Sequence, residues 1–277
     1  MKKDRIIVHC LLANDERFVW YAINSILPFV DKIMVWDTGS IDRTISIIKS
    51  IKSRKIEFVE KRQVDAEGHT KMRDQMLQET DREKYDWLLI LDGDEIWSET
   101  MFQKMLTEAA KKKPIAVVVK TVNFVGDIYH QTPESAGRYR FGDKIGHYNL
   151  RLINLRSPEL HVAGPHGQQT YFTGRTPLQD LPEGKLLFLE DVYYFHATHL
   201  PRSKNDQATL KRSFKRKYEL GEVVPTPLLP KIFFEKNKPA MIPNVDAAAP
   251  LSFWFLAAAL TIPRRLKRIL FPPKAGY

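Results

Sequence analysis

The stretch Trp87-Leu88-Leu89-Ile90-Leu91-Asp92-Gly93-Asp94-Glu95 places an unbroken apolar run directly before three carboxylates. Such a run predicts a buried strand of a parallel sheet. Gly93 permits a turn that brings carboxylates close to a ligand. Ligands of open α/β sheets bind beyond the carboxyl ends of strands, so this stretch predicts a divalent-metal site that holds a diphosphate. An acidic turn leading into a helix at Ser98 and Glu99 is the alternative interpretation.

The residues before this stretch alternate between strand-like and helix-like runs. The helices are expected before Ile26, between Thr44 and Ile51, and around Arg73 and Asp74. Alternation of this kind favours right-handed βαβ units on a parallel sheet. The strands are predicted at Ile6–Leu11, Lys32–Trp36 and Ile56–Val59.

A second acidic strand end lies in the segment Asp37-Thr38-Gly39-Ser40-Ile41-Asp42-Arg43-Thr44. Gly39 permits a tight turn, and either Ser40 or Asp42 can cap the helix that begins at Thr44. Asp37 ends its strand as Asp92 ends its own, so we expect both carboxylates to face one crevice.

This region contains four motifs: Asn14-x-Glu16, Asp37-x-Gly39-Ser40-x-Asp42-x-Thr44, Arg73-Asp74 and Asp92-Gly93-Asp94. Together they resemble the motifs of the inverting family 2 glycosyltransferases of GT-A fold. Their order and spacing match from Asn14 to Asp94, and the resemblance continues more loosely through Asn149–Asn154 and Gly164-Pro165-His166. Similar enzymes that build bacterial surface saccharides have a glutamate after that histidine, whereas this chain has Gly167.

The resemblance implies a fold and a set of roles. The fold is α/β, a Rossmann-like, mostly parallel sheet with helices on both faces, to which the tail adds a helical basic extension. Asp37 would accept a hydrogen bond from the nucleobase, most often uracil N3–H, and Arg73 would position the nucleotide. Asp94 would ligate Mn²⁺ or Mg²⁺, the hard cations that carboxylate and phosphate oxygens prefer. The residues assigned to nucleotide binding are Asn14, Glu16, Asp37, Arg73 and Asp92.

A late histidine is a further candidate metal ligand. The segment His196-Ala197-Thr198-His199 follows the strand-like run Asp191–Phe195. Many enzymes of GT-A fold recruit such a histidine, which makes His196, at the strand end, the first choice and His199 the second. A histidine held by a backbone carbonyl is the alternative. Neither HExxH nor a CxxC pair is present, so a zinc hydrolase has no support.

An inverting transferase needs a general base to accept the proton of the acceptor hydroxyl. The pair Glu190-Asp191 resembles a Glu-Asp pair that many family members carry at about this distance past the D-x-D motif. A neighbouring carboxylate is expected to raise the pKa of one member. Asp191 is the preferred base, and the other candidates are Asp180, Glu183 and Glu190.

Composition is compatible with this interpretation. The 277 residues can form one large core domain, and 43% of them are hydrophobic. The single cysteine excludes an internal disulfide, as expected in a reducing cytoplasm. The first apolar run is too short for a signal-peptide core. We therefore expect a cytoplasmic enzyme, peripheral on the inner face of the membrane.

Charge divides the chain unevenly. Residues 1–200 contain 28 basic and 28 acidic side chains, whereas residues 201–277 contain 15 and 5. The predicted organisation is a GT-A catalytic domain at 1–200, a basic, proline-rich extension at 201–246 and an apolar, basic tail at 247–277. The extension includes the basic block Lys211–Lys217.

The tail combines an apolar run, residues 247–262, with the basic cluster Arg264, Arg265, Lys267 and Arg268. The run is shorter than the roughly 20 residues needed to cross a bilayer. An interfacial helix on an anionic membrane surface fits better. A helix that packs on the catalytic domain or on a partner subunit is the alternative.

Two other function classes compete with a glycosyltransferase. A nucleic-acid-binding protein is disfavoured because the excess positive charge is confined to the tail. A sugar nucleotidyltransferase would carry a glycine-rich loop with Arg and Lys after the first strand, whereas this chain has Leu12-Ala13-Asn14-Asp15-Glu16. The sequence therefore predicts a metal-dependent transferase that moves a sugar from a nucleotide-sugar donor to a glycan or lipid-linked acceptor in polysaccharide assembly.

Overall fold

The computed structural model describes residues 4–62, 65–164, 170–182, 184–208 and 217–270. Its central element is a parallel sheet in the order β3-β2-β1-β4. Each of these strands ends within one residue of its predicted end. The strands are β1 (Ile6–Leu12), β2 (Lys32–Asp37), β3 (Ile56–Glu60) and β4 (Trp87–Leu91).

Helices cover both faces of this sheet, as the sequence predicts. Alternate β1 residues point to opposite faces, so Val8 and Cys10 join one apolar cluster and Ile7 and Leu11 join another. The first cluster includes α1, α2 and α4, and the second includes α3. The helices are α1 (Val19–Ile26), α2 (Thr44–Ser50), α3 (Ala66–Gln78), α4 (Glu99–Lys112) and, near the C-terminus, α5 (Leu251–Leu270).

Two later strands bring additional side chains to the end of β4. Antiparallel β10 (Tyr148–Asn154) lies between β4 and β6 (Ala116–Val125). Strand β14 (Leu186–His196) runs parallel to β6 and ends beside the short strand β5 (Glu95–Ile96). Residues far apart in sequence therefore meet beyond the carboxyl end of β4.

Smaller strands complete the fold. Strands β7 and β15 extend the large sheet at one edge, while β8 with β9 and β11 with β12 and β13 form separate small sheets. These strands are β7 (Asp127–Gln131), β8 (Tyr139–Phe141), β9 (Lys144–Gly146), β11 (Leu160–Ala163), β12 (Thr170–Thr173), β13 (Thr176–Pro177) and β15 (Glu222–Val223).

The proline-rich extension packs onto the catalytic domain where the structure describes it. Phe233, Ile242 and Val245 are buried in the same core cluster as α1. The Tyr21 hydroxyl donates a hydrogen bond of 2.8 Å to the Pro243 carbonyl. Most of the basic block, residues 211–216, lies outside the described residues.

Helix α5 continues through Pro263, so the predicted apolar run and basic cluster form one helix. One face packs on the domain: Phe253 contacts the Tyr218 ring at a centroid distance of 5.4 Å, and Ala257 is fully buried. The Arg264 guanidinium donates a hydrogen bond of 2.7 Å to the Tyr218 carbonyl. The expectation that the whole basic cluster faces a membrane is therefore wrong for Arg264, because its charge serves to dock the helix.

The opposite face of α5 is apolar and exposed. Leu251, Phe255, Ile262 and Ile269 are each at least 67% exposed and lie along one side of the helix. Among the described residues, no helix combines the length and apolar character that a bilayer crossing requires.

Candidate active site

The turn after β2 fixes Asp37 at the sheet edge. Gly39 has a φ of 95°, which favours glycine, and the Gly39 and Ser40 N–H groups donate to Asp37 Oδ2 at 3.0 and 2.8 Å. The Ser40 hydroxyl donates to Asp37 Oδ1. Asp42 Oδ1 accepts from the Thr44 N–H at 2.8 Å, so Asp42 satisfies the first amide of α2.

Asn14 links the loop after β1 to this turn. Its N–H donates to Ser40 Oγ at 2.7 Å, and its side-chain oxygen accepts from the Ile41 N–H at 2.8 Å. Its φ of 53° lies in the left-handed region, where asparagine is tolerated. Asn14 therefore positions the turn that carries Asp37.

Glu16 joins the same loops to the segment after β14. Its carboxylate accepts from Arg43 Nε at 2.9 Å and from the Lys204 N–H at 3.3 Å. Burial raises the pKa of Glu16, but these two hydrogen bonds outweigh burial and the net shift is downward. Asn14 and Glu16 therefore link the loops around the predicted nucleotide site through hydrogen bonds.

The carboxylates after β4 are packed closely against the loop after β1. Asp94 and Glu95 are fully buried, and Asp15 is 2% exposed. A side chain at Gly93 would bring its Cβ to 2.8 Å from Asp15 Oδ2. Glycine is required at this position because Asp15 occupies the space that a Cβ needs.

Asp92 is paired with two arginines. Arg73 Nη2 lies 2.8 Å from Asp92 Oδ1, and Arg151 Nη2 lies 3.9 Å from Asp92 Oδ2. Burial raises the pKa of Asp92, but the two guanidinium groups outweigh it, so the net pKa is lowered. Asp92 is therefore ionised at neutral pH, as the sequence interpretation of a charged site requires.

Glu95 belongs to a buried network that shares Arg151 with Asp92. It pairs with Arg151, whose Nη2 also donates to the Tyr194 hydroxyl at 2.9 Å. Burial raises the pKa of Glu95 to about 7, while Arg151 acts in the opposite direction. This network fixes Arg151 between Asp92 and the end of β14.

Asp94 is approached by two nitrogens from the segment that ends β14. Its Oδ2 lies 3.2 Å from His196 Nε2 and 2.7 Å from Arg202 Nη1. The same Arg202 nitrogen lies 3.5 Å from Asp15 Oδ1. Because a fully buried carboxylate is costly without a partner, Arg202 is the counter-cation that makes this position tolerable.

The donor set at Asp94 fits a divalent metal that is shared with a substrate. Among the described residues, no three His, Cys, Asp or Glu side chains converge as a complete ligand set. Mg²⁺ sites are commonly built from one or two carboxylates plus substrate phosphates, and the Asp94 carboxylate, with His196 beside it, is compatible with such a site. Arg202 already places a cation on the same oxygen, which shows that the position favours positive charge.

The predicted base and its alternatives are not brought to this cluster. Asp191 is exposed and pairs with Lys104 of α4. It lies in the part of β14 where the pairing with β6 is irregular, before the regular stretch that leads to His196. Glu190 pairs with Lys144. Each lysine hydrogen bond lowers the pKa of its carboxylate, so the expected rise in pKa is wrong. Asp180 is exposed, and Glu183 lies outside the described residues.

The histidines differ in placement. His196 faces Asp94, whereas His199 lies in the turn beyond the strand and is partly exposed. His166 and Gly167 lie outside the described residues.

Sequence reasoning identified Arg73 but missed Arg151 and Arg202, the other two arginines that pair with the carboxylates. The sequence motifs assign no role to Arg151, Arg202, Glu95 or Asp15. The Arg151–Glu95 pairing depends on antiparallel β10 lying beside β4, which no local pattern indicates. A signal was present in Asp15, since two buried acids near Gly93 require a cation from elsewhere.

The family comparison gives this arrangement its context. The family model described as Glycosyl transferase family 2 matches residues 6–168, which is more than half of the chain. The chain belongs to glycosyl transferase family 2. The matched span of this family 2 chain contains Asn14, Asp37, Arg73, Asp92 and Asp94. No curated protein sequence matches it.

Solved structures agree on the fold. S. aureus TarS superposes with a TM-score of 0.50 at 14% identity, covering 72% of this chain and 37% of the TarS chain. At this identity the likeness shows the GT-A fold alone, and the chain spans well under two thirds of TarS.

Two further neighbours have TM-scores below 0.5 and add no argument. TarS 1–349 in complex with UDP-GlcNAc has a TM-score of 0.48 at 12% identity, covering 70% of this chain and 58% of that one. Glucosyl-3-phosphoglycerate synthase from Mycobacterium tuberculosis, in complex with Mn²⁺, UDP and glucosyl-3-phosphoglycerate, has a TM-score of 0.43 at 17% identity, covering 76% of each chain.

Proposed function

We propose that this family 2 chain is a metal-dependent, inverting glycosyltransferase that moves a sugar from a nucleotide-sugar donor, a UDP-sugar, to a glycan or lipid-linked acceptor in cell-surface polysaccharide assembly. The observation that carries the proposal is that Asp37, Asp92 and Asp94 lie at the carboxyl ends of β2 and β4, the strands on either side of β1. Arg73 is paired with Asp92, and His196 lies beside Asp94. This is the edge at which open α/β sheets bind ligands.

Each group has a task in donor binding. The turn after β2 holds Asp37 against the nucleobase, and Arg73 offsets the negative charge of the nucleotide. Asp94 and His196 are the residues that would hold Mn²⁺ or Mg²⁺. The ion, when bound, neutralises charge on the departing nucleoside diphosphate.

The experiment replaces Asp94 with Asn and measures UDP binding by calorimetry with and without Mn²⁺. The fold should persist, because Asn keeps the shape of the side chain, but Mn²⁺ should no longer enhance UDP affinity. Asp191→Asn is the matched control, since that carboxylate is exposed and paired with Lys104. Full Mn²⁺ dependence in Asp94→Asn would refute the metal assignment.

A product assay separates the proposal from a sugar nucleotidyltransferase. A glycosyltransferase that uses a UDP-sugar releases UDP, whereas a nucleotidyltransferase exchanges pyrophosphate. Release of UDP without pyrophosphate is the expected result. Family membership already removes support from a nucleic-acid-binding role.

The membrane proposal rests on the exposed face of α5. Its apolar side chains have no partner surface within the described residues, and Arg265 lies exposed at the edge of the same face. Apolar side chains flanked by basic ones are typical of a helix lying in the plane of a membrane interface. Docking through this face would bring a lipid-linked acceptor to the enzyme.

A further inference from the structure

Arg202 is positioned by its backbone while its side chain reaches Asp94. The Arg202 N–H donates to Asp206 Oδ2 at 3.2 Å, and its carbonyl accepts from the Arg17 N–H at 3.0 Å. The residue is 8% exposed. The backbone is thus held from two sides, so a change in the position of the guanidinium has to come from the side-chain torsions.

The guanidinium occupies one of the two Asp94 oxygens that a metal could use. Arg202 Nη1 and His196 Nε2 both approach Asp94 Oδ2, at 2.7 and 3.2 Å. A second cation on that oxygen would be strongly repelled, because charges a few Å apart interact at several kcal/mol even at an effective dielectric of about 20. Arg202 and a metal ion therefore compete for Asp94.

A nucleoside diphosphate resolves this competition. It brings oxygens that can ligate the metal and others that can accept from a guanidinium, for which planar, forked donors are well suited. When such a ligand arrives, Arg202 can leave Asp94 without losing an anionic partner. Without it, departure from Asp94 costs the guanidinium its nearest carboxylate, and Asp15, at 3.5 Å, is the more distant partner that remains.

We propose that Arg202 is the counter-cation of the empty site, which holds Asp94 against metal binding and transfers to the diphosphate when nucleotide and metal bind together. Binding of the metal is thereby made dependent on the nucleotide. The inference rests on the proposed function, because it assumes that Asp94 is the metal ligand.

The test measures Mn²⁺ binding to the full chain by electron paramagnetic resonance, with and without UDP. The wild type should bind Mn²⁺ weakly alone and at least tenfold more tightly with UDP. Arg202→Gln should bind Mn²⁺ alone at least tenfold more tightly than the wild type, and UDP should enhance this binding much less. Mn²⁺ alone should also raise the melting temperature of Arg202→Gln more than that of the wild type.

Two further variants define the comparison. Arg156→Gln removes an arginine that is half-exposed and pairs with Asp86, so Mn²⁺ binding should stay at the wild-type value. Arg202→Lys keeps a cation but lacks the planar guanidinium, one nitrogen of which lies near both Asp15 and Asp94. Arg202→Lys should also bind Mn²⁺ alone more tightly than the wild type, but by a smaller factor than Arg202→Gln. It takes the place of Arg202→Gln in the test if that variant does not fold.

The outcomes separate the two proposals. If Asp94→Asn keeps Mn²⁺-dependent UDP binding, the metal site itself is misassigned. If Asp94→Asn loses that binding but the Arg202 variants bind Mn²⁺ alone no better than the wild type, the competition is refuted while the metal site stands.

Discussion

At the scale of single residues, burial has a large effect on the pKa of polar side chains. His9 is an example outside the site: it is fully buried on β1, and its Nε2 lies 2.7 Å from Thr80 Oγ1. Burial, with a smaller contribution from Arg73, lowers the pKa of His9 to about 3. The native state therefore keeps this histidine neutral where an unfolded chain would protonate it.

This shift predicts a pH-dependent loss of stability. The native pKa of His9 lies below its unfolded value of 6.5, so its contribution is complete above pH 6.5 and is lost as the pH falls. Between pH 7 and pH 5 the loss amounts to about 2 kcal/mol. The glutamine in His9→Gln cannot be protonated. The free energy of unfolding in urea should therefore fall between pH 7 and pH 5 by about 2 kcal/mol less in this variant than in the wild type. An unchanged slope would mean that another group carries the acid sensitivity.

Asp191 is the residue for which sequence and geometry differ most. The sequence predicts a base whose loss lowers turnover by orders of magnitude. The exposed position of Asp191 and its pairing with Lys104 favour the opposite outcome. We expect Asp191→Asn to keep turnover near the wild-type value in a UDP-release assay, and a loss of orders of magnitude would restore its role as base.

The residues whose positions follow from the sequence share a local cause. Asp37, Asp92 and Asp94 each follow an apolar strand and lie beside a turn glycine, so a short window contains the whole signal. Asp92 pairs with Arg73 of α3, which the sequence also indicates, but the other cationic partners come from antiparallel β10 and from the segment after β14. Which arginine reaches which carboxylate depends on strand order, and a single sequence does not encode strand order in any local pattern.

At the scale of elements, the contact between α5 and the turn after β6 leaves no room for a side chain at Gly126. Gly126 has a φ of 79°, and a Cβ there would lie 2.6 Å from the Phe253 ring. Glycine at this position therefore permits both the left-handed backbone of the turn and the close packing of Phe253 of α5. The sequence predicts a tail helix but not how it docks, because the face of α5 that packs depends on the surface of the domain against which it lies.

Replacing Gly126 with Ala should weaken the docking of α5. The strain of the left-handed backbone costs about 1 kcal/mol, and the collision with Phe253 adds to it. Hydrogen exchange of the α5 amides should become faster in this variant. Gly142→Ala is the matched control, since Gly142 also has a positive φ, 56°, but a Cβ added there would meet no atom within 4 Å. Equal exchange in both variants would show that strain alone is responsible.

At the scale of the whole molecule, we expect the exposed face of α5 to determine whether the enzyme binds a membrane surface. Phe255 and Ile262 are exposed on its outer face. Changing both to Gln should weaken co-sedimentation with anionic phosphatidylglycerol vesicles at least tenfold, because each buried apolar side chain contributes about 1.5–3 kcal/mol. The melting temperature should not change.

The control for this measurement is Leu228→Gln, which removes an exposed apolar side chain from the extension and not from α5. It should leave vesicle binding intact. Added salt should weaken wild-type binding, since exposed charges are screened within about 10 Å at 0.1 M salt. Equal sedimentation of the α5 double variant and the wild type would show that the outer face of the helix is not the anchor.

The burial of Phe233, Ile242 and Val245 beside Val8 also has a consequence for biosynthesis. Strand β1 is made first, yet the core cluster around it lacks part of its filling until residue 245 has left the ribosome. At about 5–20 residues per second, that interval lasts roughly 12–50 s. During translation part of the apolar surface around β1 therefore stays uncovered until this segment has been made. A ribosome that stalls before this point would present a core that only α1, α2 and α4 cover on this side.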